Sequence, residues 1–135
     1  MSEAKPEPTP AFPSAATVFV YGTLKRGGRY HAHLAGQLYL GQARTAAGFT
    51  LYSLGEYPGL VANEADQAGV TGELWAVDAA CLERLDVLEG VSVGLYSRDF
   101  ARLAPPHEIL APAAQLYRYL GTTEGRIHLG STWRE

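Results

Sequence analysis

The chain has 135 residues, of which 47% are hydrophobic and 19% charged, which is enough apolar material for the core of one domain. Its net charge of −3 gives no electrostatic basis for binding nucleic acid or an anionic membrane surface. The single cysteine, Cys81, excludes an internal disulfide, and no apolar run reaches the length of a membrane span or signal-peptide core, so we expect a cytoplasmic protein.

The first 16 residues carry four prolines among small and polar residues. Such a composition cannot bury a core face, so we expect residues 1–16 to form a disordered, Pro-rich tail. The folded domain is therefore predicted to span residues 17–135.

The first predicted strand, residues 17–21, runs into a glycine. Four apolar or aromatic residues in a row, 18–21, are typical of a short buried strand, and Gly22 then allows a sharp turn and a close approach of the backbone to another group. Together with the Thr23 hydroxyl, this arrangement predicts a row of backbone N–H groups at a strand end. Such a row can hold carboxylate or carbonyl oxygens.

Short strands dominate the rest of the chain. After one or two helical turns in residues 31–38, the predicted strands and turns are 41–47, 49–53, a Pro-Gly turn at 56–59, a hairpin end at 61–66, 69–77, 96–103 and 113–120. Gly72 inside a strand indicates a bulge or the close approach of another group. Residues 121–135 are predicted as a loop that Trp133 pins. This pattern predicts an α+β fold, a small curved sheet or barrel with a helix packed on it.

The strongest helix prediction covers residues 79–89. Asp78 is suited to the N-cap position, and Gly90 is suited to stopping the helix. Apolar residues at three- and four-residue spacing form a stripe along this helix, namely Cys81, Leu82, Leu85 and Leu88.

Glu89 is the most interesting carboxylate, because it lies at the end of this stripe. A carboxylate beside a core face, at the negative end of a helix, is disfavoured as an anion, so we expect a raised proton affinity. That property suits a general acid or base near neutral pH. The alternative is an exposed glutamate at a fraying helix end, which the spacing alone favours. Asp86, three residues earlier, is either a second carboxylate of the site or a solvated one.

The basic, histidine, cysteine and most tyrosine side chains are assigned structural or surface positions rather than roles in catalysis or metal binding. The basic cluster after the glycine loop is read as a solvated loop rather than a polyanion site; it comprises Lys25, Arg26 and Arg29. The histidines lack metal-ligand spacing and are assigned to the surface or to loops; they are His31, His33, His107 and His128. Cys81 is expected to pack in the core. Most of the eight tyrosines are expected to pack in strands, a few lining a pocket. No Ser-hydrolase, P-loop or dinucleotide-binding motif is present.

Several short motifs occur along the chain in a definite order. They are VYGTLK at 20–25, His31 with Leu34, Tyr57-Pro58, Gly72-Glu73-Leu74, LDVLEG at 85–90, and Tyr96 with Arg98. In this order and spacing they resemble the γ-glutamylcyclotransferase-like family from residue 17 to residue 133. Within that family they are similar to the branch of the γ-glutamylamine cyclotransferases and the AIG2-like proteins.

This resemblance implies a small mixed β-barrel with flanking helices and a small-molecule γ-glutamyl substrate. Glu89 would take a proton from the substrate's α-ammonium group, and the freed amine would attack the γ-carbonyl of the same molecule. Ring closure would give 5-oxoproline and a released amine or amino acid. Backbone N–H groups would hold the substrate's oxygens, those of Tyr21, Gly22, Thr23 and Leu24. No metal or organic cofactor is required.

Two departures from the family pattern bear on the substrate more than on the chemistry. Tyr30 stands where family members often have Asn, and residues 91–95 lack the Pro that often precedes the Y-x-R segment. One alternative is a non-catalytic small-metabolite binding module on the same fold, in which Glu89 only pairs with a ligand ammonium. A weaker alternative is an interaction protein with a vestigial site. The leaving amine and the oligomeric state stay open.

Overall fold

The computed structural model describes residues 15–134. In chain order, the elements are β1 (Ala16–Val20), a 3₁₀ turn (His31–Leu34), β2 (Leu38–Arg44), β3 (Phe49–Ser53), β4 (Pro58–Ala62), β5 (Thr71–Val77), α1 (Ala79–Leu88), a second 3₁₀ turn (Val91–Val93), β6 (Tyr96–Phe100), α2 (His107–Leu110), β7 (Gln115–Tyr119) and β8 (Ile127–His128). Most of the predicted tail lies outside the described residues, and β1 begins one residue before the predicted start of the domain.

The strands form two sheets. Five of them form a mixed sheet in the order β2-β5-β1-β7-β6, in which β1 runs antiparallel to β5 and parallel to β7. The other sheet has the order β4-β3-β8. The edge strands of the larger sheet are β2 and β6, and the segments that follow them pair with each other. Thr45 forms an antiparallel bridge with Leu103, and Ala46 N–H donates a hydrogen bond of 2.9 Å to Arg102 O. The edges therefore meet, and the predicted α+β fold with a small mixed barrel is confirmed.

The strand β1 is central because both of its faces are buried. Val18 belongs to the same core cluster as Leu85 of α1, whereas Phe19 belongs to a second cluster that includes Leu51 and Leu60 of the smaller sheet. A strand covered on both faces needs the continuous apolar run that the sequence has here. The buried strand therefore fixes where the glycine loop after it begins.

The helix α1 has the ends that the sequence predicts. The Asp78 carboxylate accepts a hydrogen bond of 2.8 Å from the N–H of Cys81, which caps the first turn. At the other end Glu89 occupies the C-cap, and Gly90 has a left-handed φ of +66° that ends the helix. Cys81 and Leu85 are buried, so the interpretation of Cys81 as a core residue is confirmed.

Some local predictions are corrected by long-range pairing. The strand β4 begins at Pro58, inside the predicted turn, because residues 58–62 pair along their length with β3. Proline is tolerated there as the first residue of an edge strand. The predicted strand 96–103 ends at Phe100, and the predicted terminal loop contains β8, which pairs with the end of β3. The short helix α2 was not predicted.

Two further expectations are confirmed. A Cβ at Gly72 would collide with the carbonyl oxygen of Val20, so this glycine does mark a close approach between neighbouring strands. Trp133 is buried in the core and pins the end of the described chain. Across residues 15–134, none of the helices combines the length and the apolar character needed to cross a membrane.

Candidate functional site

A cavity of about 230 Å³ opens where the end of β1 approaches the end of α1. It is lined by all five residues that were predicted for the site, namely Tyr21, Gly22, Thr23, Leu24 and Glu89. The first four follow β1 directly, and the fifth is the C-cap of α1. The fold therefore brings the two predicted parts of the site together from distant segments of the chain.

The glycine loop presents backbone donors beside this cavity. Among the described residues, the N–H groups of Gly22, Thr23 and Leu24 donate no hydrogen bond to the protein. The loop is nevertheless fixed, because Gly22 O accepts from Lys25 N–H at 3.1 Å and Thr23 O accepts from Tyr30 N–H at 3.0 Å. Donors without an acceptor, on a fixed loop, can bind a ligand's carboxylate or carbonyl oxygen without reorganisation.

A buried carboxylate holds the loop from the sheet. Glu73 of β5 accepts hydrogen bonds from the backbone N–H of Arg26 at 3.0 Å, from Arg26 Nε at 3.2 Å and from the indole N–H of Trp75 at 3.2 Å. The guanidinium of Arg26 also lies 3.9 Å from the centre of the Tyr39 ring, in cation–π contact. Glu73 belongs to the Gly72-Glu73-Leu74 motif, but nothing in the sequence indicates that it holds the loop.

The basic cluster lies on a solvated loop, with the side chains of Arg26 and Arg29 50% and 41% exposed, and it also makes contacts within the protein. Besides Arg26, Lys25 Nζ donates to the carbonyl oxygen of Trp133 at 2.9 Å, and Arg29 lies 2.9 Å from Glu56 Oε1. These contacts tie the loop to the end of the chain and to the turn before β4.

His31 adds a further tie to the same loop. Its Nδ1 lies 2.9 Å from Leu24 O, and since a carbonyl oxygen only accepts, Nδ1 carries the hydrogen. The described residues contain no group of three or more His, Cys, Asp or Glu side chains that could hold a metal ion.

Glu89 is half-buried at the helix end, and burial raises the pKa of its carboxyl group to about 7. The direction agrees with the prediction, and desolvation beside the core face is one of the two causes that the prediction gave. Among the described residues, no donor forms a hydrogen bond to its carboxylate, whereas its backbone N–H donates to Leu85 O at 2.9 Å. A carboxylate that is partly removed from water and lacks donors is a stronger base than an exposed one.

Asp86 is neither a second carboxylate of the cavity nor a solvated residue. Both of its oxygens bind Arg98, at 2.9 Å to Nε and 3.0 Å to Nη2, and Oδ1 also accepts from the Tyr117 hydroxyl at 2.7 Å. This bidentate ion pair connects α1 to β6 and β7. Asp86 therefore lies behind the cavity wall and contacts one of its lining residues, Tyr117.

Five of the eight tyrosines line the cavity: Tyr21, Tyr30, Tyr57, Tyr96 and Tyr117. The expectation that a few tyrosines line a pocket is confirmed, but the sequence did not indicate which ones. The sequence pointed to Tyr96 only through the Y-x-R motif, and no sequence feature indicated that Tyr117 lines the cavity. Pro58, which lies against Gly22, was recognised only as part of a turn.

The comparison with known families agrees with this geometry. A family model described as "Gamma-glutamyl cyclotransferase, AIG2-like" matches residues 18–135. The chain belongs to the gamma-glutamyl cyclotransferase, AIG2-like family. The resemblance seen in the sequence motifs is therefore confirmed.

Relatives of this AIG2-like chain occur in distant organisms. It is 49% identical over 82 residues to a "Putative gamma-glutamylcyclotransferase" of Vibrio cholerae, covering 61% of this chain and 68% of that protein. A "Putative gamma-glutamylcyclotransferase" of Arabidopsis thaliana is 42% identical over 103 residues, which are 71% of this chain but 54% of that protein.

Solved structures share the fold of this chain. The crystal structure of an AIG2-like protein from Mus musculus has a TM-score of 0.69 and 26% identity, covering 86% of each chain. The solution structure of protein ytfP from Escherichia coli has a TM-score of 0.63 and 31% identity, covering 87% of this chain and 94% of that one.

The raised pKa of Glu89 predicts a pH dependence of folding stability. Because the folded pKa of about 7 lies above the ordinary value of 4.5, the folded state holds a proton that the unfolded state has lost. This contribution to stability is fully present below pH 4.5 and is lost as the pH rises through about 7. We expect the free energy of unfolding in urea to fall more between pH 5 and pH 8 in the wild type than in Glu89→Gln. Parallel curves for the two proteins would contradict this prediction.

Proposed function

We propose that this chain is a γ-glutamyl cyclotransferase, with Glu89 as its general acid and base and with 5-oxoproline as one product. The observation that carries the proposal is what shares one cavity: the Glu89 carboxylate, with a pKa of about 7, and the fixed loop of Gly22, Thr23 and Leu24. Within residues 15–134, the carboxylate accepts no hydrogen bond and the three loop N–H groups donate none. Membership of the family supports the reaction class. The substrate and the role of Glu89 are parts of the proposal.

In the proposed mechanism the substrate supplies both reacting groups. The Glu89 carboxylate takes a proton from the substrate's α-ammonium group, and the freed nitrogen attacks the γ-carbonyl carbon of the same molecule. A new N–C bond closes the five-membered ring, and the carbonyl oxygen becomes an oxyanion. Backbone N–H groups of the loop from Tyr21 to Leu24 donate to the substrate's oxygens, including this one.

Glu89 then acts as an acid. It returns its proton to the nitrogen of the leaving amine as the old γ-carbonyl C–N bond breaks. Glu89 then takes the second proton that the ring nitrogen loses and passes it on in the same way, so that one of the three protons of the α-ammonium group stays on the ring nitrogen and two end on the amine, which leaves as an ammonium ion. Glu89 ends as a carboxylate, so the cycle consumes no other reactant.

The rim of the cavity bears on the leaving group. Tyr30, Tyr57 and Leu95 line the cavity and are also exposed, by 40%, 37% and 38% of their surface. Within the described residues, Glu89 is the one acidic or basic side chain that lines the cavity apart from tyrosine hydroxyls. An apolar and aromatic rim favours an apolar substituent and offers a free carboxylate no cationic partner. We therefore propose a γ-glutamylamine whose amine carries an apolar group.

The test is the release of 5-oxoproline from a panel of γ-glutamyl compounds. The panel contains γ-glutamyl alkylamines and arylamines, γ-glutamyl-ε-lysine and γ-glutamyl dipeptides. We expect kcat/KM to be at least about tenfold higher for a γ-glutamyl compound whose leaving group is an apolar amine than for one whose leaving group is an amino acid of similar size. The α-carboxylate of the amino acid would lose water at the rim without gaining a cationic partner.

A rim variant serves as the matched comparison. Leu95→Lys places a cation at the rim of the cavity. We expect this variant to prefer apolar amine leaving groups over amino acids less strongly than the wild type does, or to prefer amino acids. A wild type that prefers dipeptides would contradict the proposed leaving group. A folded wild type that binds panel members but releases no product from any of them would contradict catalysis and favour the binding-module alternative.

A further inference from the structure

Both ends of the glycine loop, residues 21–26, are attached to one residue of the neighbouring strand. Glu73 of β5 lies opposite Val20, the last residue of β1, in the antiparallel ladder. The Glu73 side chain accepts hydrogen bonds from the backbone N–H of Arg26 at 3.0 Å and from Arg26 Nε at 3.2 Å. The strand position of Glu73 therefore fixes where the loop begins, and its carboxylate holds the residue where the loop ends.

Between these two attachments the peptide groups of the loop have a definite orientation. Gly22 O accepts from Lys25 N–H, and Thr23 O accepts from Tyr30 N–H. In a planar trans peptide the carbonyl of one residue and the N–H of the next point in opposite directions. The N–H groups of Thr23 and Leu24 therefore point away from these bonded carbonyls, and neither donates to another described residue. Where these two donors point depends on how the loop is held.

The carboxylate of Glu73 is well suited to hold a loop because it is buried, with 6% of the residue exposed. A buried carboxylate is costly unless donors surround it. Here the donors are the two groups of Arg26 and the indole N–H of Trp75 at 3.2 Å. Losing the backbone N–H of Arg26 would leave both this donor and a lone pair of the carboxylate without a partner, so the bond resists opening.

We infer that Glu73 is a positioning residue whose carboxylate fixes the far end of the loop and thereby directs the N–H groups of Thr23 and Leu24 towards bound substrate. Glu73 does not line the cavity, so it acts through the loop. A misplacement of about 1 Å can lower a rate by about 10²-fold, which makes the hold on the loop matter for turnover. The effect on substrate rests on the proposed function, whereas the hold on the loop does not.

The experiment measures the order of the loop and the rate in the same variant. Glu73→Met has a side chain of similar length whose sulfur is only a weak acceptor. Backbone order parameters of residues 22–26 are measured by nitrogen-15 relaxation in the full chain. We expect values of about 0.85 in the wild type and below about 0.6 in Glu73→Met, with the strands unchanged. We expect kcat/KM for 5-oxoproline release to fall by about 10²-fold in this variant.

Two control variants separate this role from a general loss of stability. Glu73→Gln keeps an acceptor oxygen but loses the charge, so its order parameters and kcat/KM should lie between those of the wild type and Glu73→Met. Asp66 is another largely buried carboxylate, with 14% of its side chain exposed, and it accepts from the Thr50 hydroxyl at 2.7 Å and from Ala68 N–H at 2.9 Å. Asp66 does not line the cavity, so Asp66→Leu should leave the loop ordered and kcat/KM unchanged.

A second pair of variants serves if Glu73→Met does not fold. Arg26→Met/Glu73→Met removes both charges, so no charge is left buried without its partner. Arg26→Met alone keeps the carboxylate as acceptor for the backbone N–H of residue 26. The loop should therefore be ordered in Arg26→Met and loose in the double variant. A double variant with the order of Arg26→Met would overturn the inference.

The remaining outcomes are equally decisive. The inference is overturned by wild-type order at residues 22–26 in Glu73→Met, by a Glu73→Gln loop as loose as that of Glu73→Met, or by equal loosening in Asp66→Leu. A loose loop with wild-type kcat/KM would overturn the positioning role. If the wild type releases no product from any compound while Glu73→Met loosens the loop, the proposed function fails and the hold of Glu73 on the loop stands.

Discussion

Replacing Glu89 by glutamine is expected to lower kcat for 5-oxoproline release by a factor of about 10²–10⁴, the usual contribution of general acid–base catalysis. The amide has the size of the carboxylic acid but cannot take the proton of the α-ammonium group at neutral pH. Substrate binding should change less than kcat, because the loop N–H groups and the apolar rim are untouched. The measurement is product formation under saturating substrate, with binding followed by calorimetry.

The chain offers a matched control on the same helix. Glu83 lies on α1 and is exposed, so Glu83→Gln removes the same charge without entering the cavity, and its kcat should equal that of the wild type. Glu89→Gln should remain folded, since it removes a carboxylate whose charged form is disfavoured by burial. Equal rates in Glu89→Gln and the wild type would eliminate Glu89 as the essential base.

Introducing a single methyl group at Gly22 should also have a large effect. A Cβ at this position would lie 2.6 Å from Cγ and 2.9 Å from Cδ of Pro58, so either the loop or the start of β4 must shift. Both segments line the cavity, and a misplacement of about 1 Å can cost about 10²-fold in rate. We expect Gly22→Ala to reduce kcat/KM by about this factor, and overpacking to destabilise the fold by about 1–3 kcal/mol.

A second substitution tests the cause. Pro58→Ala removes the ring that a Cβ at Gly22 would strike, while the Pro58 carbonyl that accepts from Tyr96 is kept. The double variant Gly22→Ala/Pro58→Ala should therefore recover part of the lost activity and stability relative to Gly22→Ala alone. Wild-type kcat/KM in Gly22→Ala would show that the loop accommodates a side chain and that the close approach to Pro58 is unnecessary.

Local chemistry was enough to predict one half of the fold. The apolar run before Gly22 predicted the buried strand β1, and the spacing of Cys81 and Leu85 between Asp78 and Gly90 predicted α1 with both of its ends. These features are predictable because capping, helical periodicity and strand burial depend on residues a few positions apart. The same reasoning placed Glu89 at the end of a core-facing stripe and gave the direction of its pKa shift.

The sequence by itself thus determined the family, the central strand, the main helix and the five residues that meet in the cavity. Only the tertiary structure decided what surrounds them: Pro58 against Gly22, Glu73 buried beneath Arg26, and the Tyr117 hydroxyl bound to Asp86. Each of these contacts joins segments that are far apart in the chain, and whether a charge such as that of Glu73 is buried or solvated depends on which segment folds over it. No local period or spacing carries that information, because burial and hydrogen-bond partners are set by the packing of the whole domain.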